Sequence, residues 1–111
     1  MEPTIEKQND VTIIRPAGEI DTHNCDSLKD VIQKALKSGA KRLLIDMSQV
    51  SYLDSAALGV LVSGFKSARE SRAQFKLANM QPPVAKIFQL TRLSKFFDIH
   101  QNSDEAIASF K

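Results

Sequence analysis

The sequence contains a single cysteine, no tryptophan, and few glycines and prolines. Cys25 alone cannot form an internal disulfide, which favours a reducing, cytosolic address over a disulfide-stabilised secreted domain. Four glycines and four prolines in 111 residues leave no linker or low-complexity stretch. The net charge is only +2, and the basic residues are scattered, with Lys37, Lys41 and Arg42 as the largest local group. No aromatic residues are interleaved with that group, so we expect no nucleic-acid partner.

Long hydrophobic runs are also missing. No apolar segment approaches the roughly 20 residues that a membrane-spanning helix requires. Residues 1–4 are polar and acidic, unlike a secretory signal. We therefore expect a cytoplasmic protein without a membrane partner. The length, with 42% hydrophobic and 25% charged residues, predicts one globular domain over residues 1–111 that needs no metal or disulfide to fold.

Hydrophobic patterns predict alternating strands and helices. β-branched residues predict strands at residues 4–8 and 11–16 across an Asn9-Asp10 turn. The apolar run at 43–45, ending at Asp46, predicts a central strand buried on both faces. Segments 75–78 and 97–99 alternate like half-exposed strands. Apolar stripes and caps predict helices at 25–37, at 55–72, from 82 onward and from 103 onward, with Asn24, Asp54 and Ser103 as N-caps and Gly39 as a C-terminal stop.

This order predicts an α/β fold. Alternating elements imply a single-domain mixed sheet that is mostly parallel, with the first strand antiparallel at an edge. Right-handed crossovers place about four helices mainly on one face of that sheet. Gly59 and Gly64 lie inside the second helix, where each costs roughly 1 kcal/mol relative to alanine. We expect a close approach of helix to sheet to compensate, at Gly59 in particular.

The segment from Asp46 to Ser55 links a strand end to a helix start. In α/β sheets, ligands and partners usually meet at that edge. With Asp54 as the N-cap, Ser55 is the first helical residue, and a phosphate there would meet unpaired backbone amides and the positive end of the helix dipole. The pattern alone leaves open the simpler interpretation that Asp54 and Ser55 only cap the helix.

Several segments resemble the STAS domain of bacterial anti-sigma-factor antagonists, and together they cover almost the whole chain. The core of the resemblance is Asp54-Ser55-Ala56-Ala57-Leu58-Gly59. At Ala57 the family often has glycine, a small departure that leaves the backbone nearly as accessible. The other matching segments are Gly18-Glu19-Ile20-Asp21 with Asn24, the rest of the stretch from Asp46 to Leu61, Ile87 to Thr91, and Glu105-Ala106.

The resemblance implies a non-enzymatic regulator without cofactor or metal. In the family, the serine that matches Ser55 is phosphorylated by a partner serine kinase, which is itself the anti-sigma factor. The unmodified protein binds that kinase, phosphorylation ends the binding, and a serine phosphatase is a further expected partner. The oligomeric state stays open. The partner-binding residues implied are Asp21, Asn24, Asp54, Ser55, Ala56 and Gly59.

The sequence also allows other interpretations of these residues. Asp21 can simply close a turn, and Asn24 can simply cap a helix. A STAS-type scaffold or adaptor that is never phosphorylated is the main alternative function. A hydrolase triad of His23, Asp46 and Ser55 lacks the surrounding elbow and oxyanion nest. A zinc site at His23 and Cys25 lacks further ligands, and a receiver domain that is phosphorylated on Asp46 lacks the acidic pair that holds its metal.

Overall fold

The computed structural model describes residues 2–111, which form one α/β unit. A short 3₁₀ turn spans Leu93–Lys95. No helix within this range is long and apolar enough to cross a membrane. The elements are β1 (Thr4–Gln8), β2 (Val11–Arg15), β3 (Ala17–Ile20), α1 (Cys25–Lys37), β4 (Arg42–Asp46), β5 (Gln49–Leu53), α2 (Ser55–Glu70), β6 (Gln74–Ala78), α3 (Pro82–Leu90), β7 (Asp98–His100) and α4 (Ser103–Ser109).

The main sheet confirms the predicted fold class. Its strand order is β1-β2-β4-β6-β7, and β1 is an antiparallel edge strand while the other pairings are parallel. Asn9 and Asp10 form the β1–β2 turn with φ values of 52° and 65°. Two left-handed residues are what a two-residue hairpin turn requires, and asparagine and aspartate tolerate that conformation.

A second, two-stranded sheet was not predicted from the sequence, because residues 49–53 were treated as part of a connecting segment. Its strands β3 and β5 pair in parallel. Pro16 separates β3 from β2, because proline has no amide to donate to the ladder. Gly18 has a φ of 82°, and the register shifts after it. This small sheet therefore continues the β2–β4 pairing beyond the end of the main sheet.

The helices lie mainly on one face, as predicted, and α4 lies on the other. Helices α1, α2 and α3 cover the larger core, which includes Leu28, Leu61 and Phe88. Ala106 of α4 completes a smaller core with four residues of the sheet, namely Val11, Ile13, Leu44 and Ala78.

The prediction that β6 is half-exposed is wrong, because α4 covers its second face. Lys76 is only 7% exposed. Its ammonium group lies 2.9 Å from a carboxylate oxygen of Asp98 and 2.7 Å from Oγ of Ser109, the last residue of α4. The alternation of apolar and polar residues at 75–78 suggested an exposed lysine. The burial is possible because partners distant in sequence neutralise its charge. The last strand also begins one residue later than predicted, at Asp98.

One of the predicted N-caps is wrong. Asn24 is the N-cap residue of α1, as predicted, although its side chain makes no capping hydrogen bond. Asn102, rather than Ser103, caps α4 by accepting a hydrogen bond from the amide of Glu105 at 2.8 Å. Gly39 follows α1 with a φ of 93°, which confirms the predicted stop.

The close approach expected at Gly59 occurs at Gly64 instead. Gly59 is exposed, and a Cβ added there would meet nothing within 4 Å. A Cβ on Gly64 would lie 3.2 Å from Ile32 and 3.3 Å from Phe75. The two glycines are five positions apart and therefore point to different sides of the helix, which explains why only one faces the core.

Candidate functional site

The ends of β3 and β5 bring two predicted site segments to one edge of the fold. Ile20 pairs with Leu53 at the carboxyl ends of these parallel strands. The loop after β3 carries Asp21 and Asn24, and the turn after β5 carries Asp54 and leads into α2. Parallel strands end at the same edge, so residues more than thirty positions apart in sequence become neighbours.

The carboxylate of Asp54 joins these two segments. Its Oδ1 accepts a hydrogen bond from the amide of Ala57 at 3.0 Å, which confirms the predicted cap of α2. Its Oδ2 accepts hydrogen bonds from the amide and the hydroxyl of Thr22, at 3.0 and 3.2 Å. The backbone amide of Asp54 also donates to the carbonyl of Ile20 at 3.1 Å. One side chain therefore holds the start of α2 against the β3–α1 loop.

The side chains of Asp21 and Asn24 shape the loop itself. Oδ1 of Asp21 accepts a hydrogen bond from the amide of His23, and Oδ1 of Asn24 accepts one from the amide of Asp21, both at 2.9 Å. The Asn24 amide group donates to the carbonyl of Glu19 at 2.9 Å. Asp21 thus closes a turn, while the side chain of the N-cap residue Asn24 fastens the loop to β3 rather than accepting a hydrogen bond from an α1 amide. Their role in binding a partner remains a prediction.

Ser55 is the first residue of α2, and it is exposed. Gly59, one turn later, is exposed as well, whereas Ala56 is half-buried and Ala57 is buried. The side chains on this part of the surface are small, so another protein can approach the helix backbone closely. The first turn of α2 contains no acidic residue, which leaves Asp54 as the only carboxylate at the start of this helix.

The pKa of Asp54 lies below its usual value. The hydrogen bond from the Ala57 amide contributes most to the lowering, and the Thr22 amide and hydroxyl add to it. Hydrogen bonds that are donated to a carboxylate favour its charged form. Asp54 is therefore ionised at neutral pH, and the surface beside Ser55 carries a fixed negative charge.

The side-chain partners of Asp46 do not include His23, so the structure does not support the alternative of a hydrolase triad. Its Oδ2 accepts a hydrogen bond from Nε of Arg15 at 2.9 Å, and its Oδ1 accepts hydrogen bonds from the Ser48 amide and the Asn79 side chain, both at 3.0 Å. Burial alone would raise the pKa of Asp46, but these hydrogen bonds outweigh it and the pKa is lowered. Asp46 is thus a structural carboxylate that is bonded to residues other than His23.

Cys25 faces the core, as predicted, and is only 6% exposed. Burial raises the pKa of its thiol, and the nearby carboxylate of Asp26 adds to the effect. A neutral, buried thiol is a poor metal ligand. Residues 2–111 contain no group of three or more histidine, cysteine, aspartate or glutamate side chains that could hold a metal ion.

Two residues of this edge were not identified from the sequence. Thr22 supplies both hydrogen bonds to Oδ2 of Asp54. Tyr52 is 47% exposed on β5, where it pairs with Glu19 of β3. An exposed aromatic side chain near an edge suits partner recognition. Neither residue carries a signal in a single sequence, since their positions depend on the small sheet that was missed.

Comparison with known proteins gives a consistent result. The family model described as STAS domain matches residues 2–106. The chain is 33% identical to an anti-sigma-B factor antagonist of Listeria monocytogenes over 85% of this chain and 82% of the relative, and 31% identical to that of Bacillus subtilis over 92% of both. A solved structure of a candidate anti-sigma factor antagonist from Thermotoga maritima superposes with a TM-score of 0.89 at 28% identity, covering 96% of this chain and 92% of that one.

Proposed function

Since this chain belongs to the STAS domain family, we propose that it is an anti-sigma-factor antagonist that binds an anti-sigma serine kinase while Ser55 is unmodified. In this proposal residues 1–111 form one STAS domain, and phosphorylation of Ser55 ends the binding and so controls the availability of a sigma factor. The relatives named anti-sigma-B factor antagonists support the general role. Members of this group are non-enzymatic regulators, and in this proposal the chain acts as the substrate of the kinase.

The observation that carries the proposal is the exposed position of Ser55 beside a loop that Asp54 holds in place. A kinase can reach the Ser55 hydroxyl without unfolding the domain, because this residue lies at the surface of the first turn of α2. The same turn is joined to the β3–α1 loop through the contact between Asp54 and Thr22. One partner surface can therefore contact Asp21, Asn24, Ser55 and Gly59 together.

The charge at this surface explains why phosphorylation would release the partner. A phosphate on Ser55 adds about −1.5 to −2 charges next to the ionised Asp54. Within residues 2–111, neither Asp21 nor Asp54 forms an ion pair with a basic side chain. The backbone amides of the helix start favour a phosphate there, and the ionised Asp54 beside it adds to the negative charge of the surface. The added charge therefore faces the partner directly and repels an acceptor surface that fits the unmodified site.

Phosphate transfer can be tested by intact mass. The protein is incubated with ATP and an anti-sigma kinase captured from the organism of origin on the unmodified chain. We expect one added phosphate on the wild type and none on Ser55→Ala. Ser51→Ala and Ser63→Ala are matched controls, because both serines are also exposed near this edge and along α2. Phosphate that persists on Ser55→Ala but disappears from one of the controls would overturn the assignment.

Binding to the kinase, measured before and after this incubation, separates the switch from an adaptor that is never phosphorylated. In the proposed switch, the phosphorylated protein loses affinity for the kinase, and a serine phosphatase restores both the original mass and the binding. An adaptor would bind a partner through the same edge and keep that affinity after prolonged exposure to kinase and ATP. Binding by Ser55→Ala that no longer responds to ATP would support the switch.

A further inference from the structure

Basic residues that are scattered in the sequence collect at one end of the fold. Helices α1 and α2 both run back from the Ser55 edge, so their last turns lie at the amino ends of the parallel strands. The β4 strand begins there, and the segment between α3 and β7 lies at the same end. The acidic residues at this end are Glu70, Asp10 and Asp98, and Asp98 is paired with Lys76. We name this surface the basic end; its cations are Lys34, Lys37, Lys41, Arg42, Arg69, Arg72, Arg92 and Lys95.

Direct contacts connect the two sides of the basic end. Nζ of Lys41 donates a hydrogen bond to the carbonyl of Ser71 at 2.7 Å, which ties the start of β4 to the end of α2. The guanidinium of Arg69 lies 5.9 Å from the ring centroid of Phe65. That ring lies 4.8 Å from the ring of Phe96, in the segment before β7. These contacts connect the start of β4, the end of α2 and the segment before β7 at one end of the fold.

Two exposed apolar side chains lie among these cations. Leu90, the last residue of α3, is 74% exposed, and Phe96 is 40% exposed. Arg92 and Lys95 lie between them in the sequence and are exposed as well. Protruding apolar side chains with flanking cations suit the boundary between phosphate headgroups and acyl chains. There the apolar side chains contact acyl chains while the cations contact phosphates.

We propose that the basic end binds an anionic lipid surface, with Leu90 and Phe96 entering the headgroup region and the cations contacting lipid phosphates. An aliphatic side chain is the most exposed apolar group here, whereas single-stranded nucleic acids are bound mainly by aromatic stacking. Association through surface cations and two apolar side chains alone is weak and reversible. The inference revises the expectation of no membrane partner, which rested on the lack of a long apolar run and considered only membrane-spanning segments.

The orientation that follows leaves the Ser55 edge free. Helix α2 begins at Ser55 and ends at Glu70, beside the basic end. Its 16 residues span about 24 Å at 1.5 Å per residue. A protein that rests on a membrane by the basic end would therefore present Ser55 away from the lipid.

Co-sedimentation with vesicles tests this inference. The full chain is mixed with sucrose-loaded vesicles of phosphatidylcholine, either alone or with an equal part of phosphatidylglycerol. We expect binding only to the anionic vesicles, and loss of binding when salt shortens the Debye length from roughly 10 Å to 3 Å. Lys95→Glu should bind at least about fivefold more weakly, since each basic residue near the surface contributes about that factor. Leu90→Ser should also bind more weakly, and its exposed position preserves the fold.

Lys29→Glu is the matched control, because it makes the same charge change on the exposed side of α1 near the helix start. Binding that Lys29→Glu retains but Lys95→Glu and Leu90→Ser weaken would support the proposed surface. Equal weakening by the two charge reversals would show a non-specific response to net charge and overturn it. Absence of binding to anionic vesicles at low salt, or binding only to a single-stranded RNA, would overturn it as well.

Discussion

Oδ2 of Asp54 lies 3.0 Å from the backbone nitrogen of Thr22, although 32 positions separate the two residues. The other oxygen of the same carboxylate caps α2 at Ala57. Because one side chain satisfies both contacts, the β3–α1 loop and the start of α2 are held in one fixed arrangement. A change of charge at Ser55 can then alter the partner surface without a change of fold.

Replacing Ser55 by aspartate should weaken binding to the anti-sigma kinase without abolishing it. The substitution places a single negative charge next to the ionised Asp54, which is less than the charge of a phosphate. Titration calorimetry of wild type, Ser55→Asp and Ser55→Ala measures the effect, with Ser55→Ala expected to bind like the unmodified protein. An unchanged affinity for Ser55→Asp would count against release by repulsion.

Phosphorylation should leave the backbone nearly unchanged. The contacts of Asp54 with Ala57 and Thr22 hold the helix start in place, so we expect that no segment has to refold around the phosphate. Backbone amide NMR spectra of the two forms should differ at residues 21–25 and 51–59. Shifts that reach Phe97 and Ile107 would show an order–disorder transition or a remodelled domain, and the local account would have to be abandoned.

The two glycines of α2 should respond to substitution in opposite directions. Gly64→Leu should lower the free energy of unfolding by about 1–3 kcal/mol or more, because the new side chain meets Ile32 and Phe75. Gly59→Ala should raise it by about 0.5–1 kcal/mol, since the site is an exposed helix interior. Urea unfolding measures both. Equal destabilisation by the two substitutions would place Gly59 against the core, contrary to the structure.

Asp46 should contribute to stability in a pH-dependent way. Its pKa is lowered in the folded state, so its contribution is present above the unfolded pKa of about 3.9 and is lost as pH falls through the folded value. Asp46→Asn should lower the free energy of unfolding at neutral pH by about 1–3 kcal/mol, since it disturbs buried hydrogen bonds and the contact with Arg15. Below about pH 4, the difference between variant and wild type should shrink.

Denaturant unfolding at a series of pH values checks this expectation. Glu70→Gln serves as the control, because it neutralises an exposed carboxylate on α2. It should keep the acid dependence of the wild type. A difference between Asp46→Asn and wild type that stays constant down to pH values near 2 would show that the charge of Asp46 is not what stabilises the fold.

The predictable parts of this protein are those that local chemistry determines. The cap of α2 follows from aspartate and serine at the start of an apolar stripe, because the capping hydrogen bond spans only three residues. The central strand β4 follows from its continuous apolar run, which is buried as expected. The position of Ser55 at the start of α2 could therefore be predicted, while its phosphorylation stays a prediction.

The features that were missed depend on contacts between distant segments. The β3–β5 sheet lacks a clear period-two pattern, since Ser51 and Tyr52 are both exposed and the register shifts beside Gly18. The Thr22 contact exists only because that sheet brings its loop to Asp54. The basic end likewise arises from folding, because helices α1 and α2 and the segment before β7 carry its cations to one place.

Because α4 covers the second face of the sheet, that face can be buried only at the end of synthesis. A ribosome delivers β1, β2, β4 and β6 before the residues of α4, since synthesis runs from the amino end. Ala106 packs in the smaller core with Val11, Ile13 and Leu44, so these contacts form only after it has emerged. A nascent chain that stalls after β7 therefore exposes this apolar face of the sheet to solvent. A chaperone or another nascent chain can bind there.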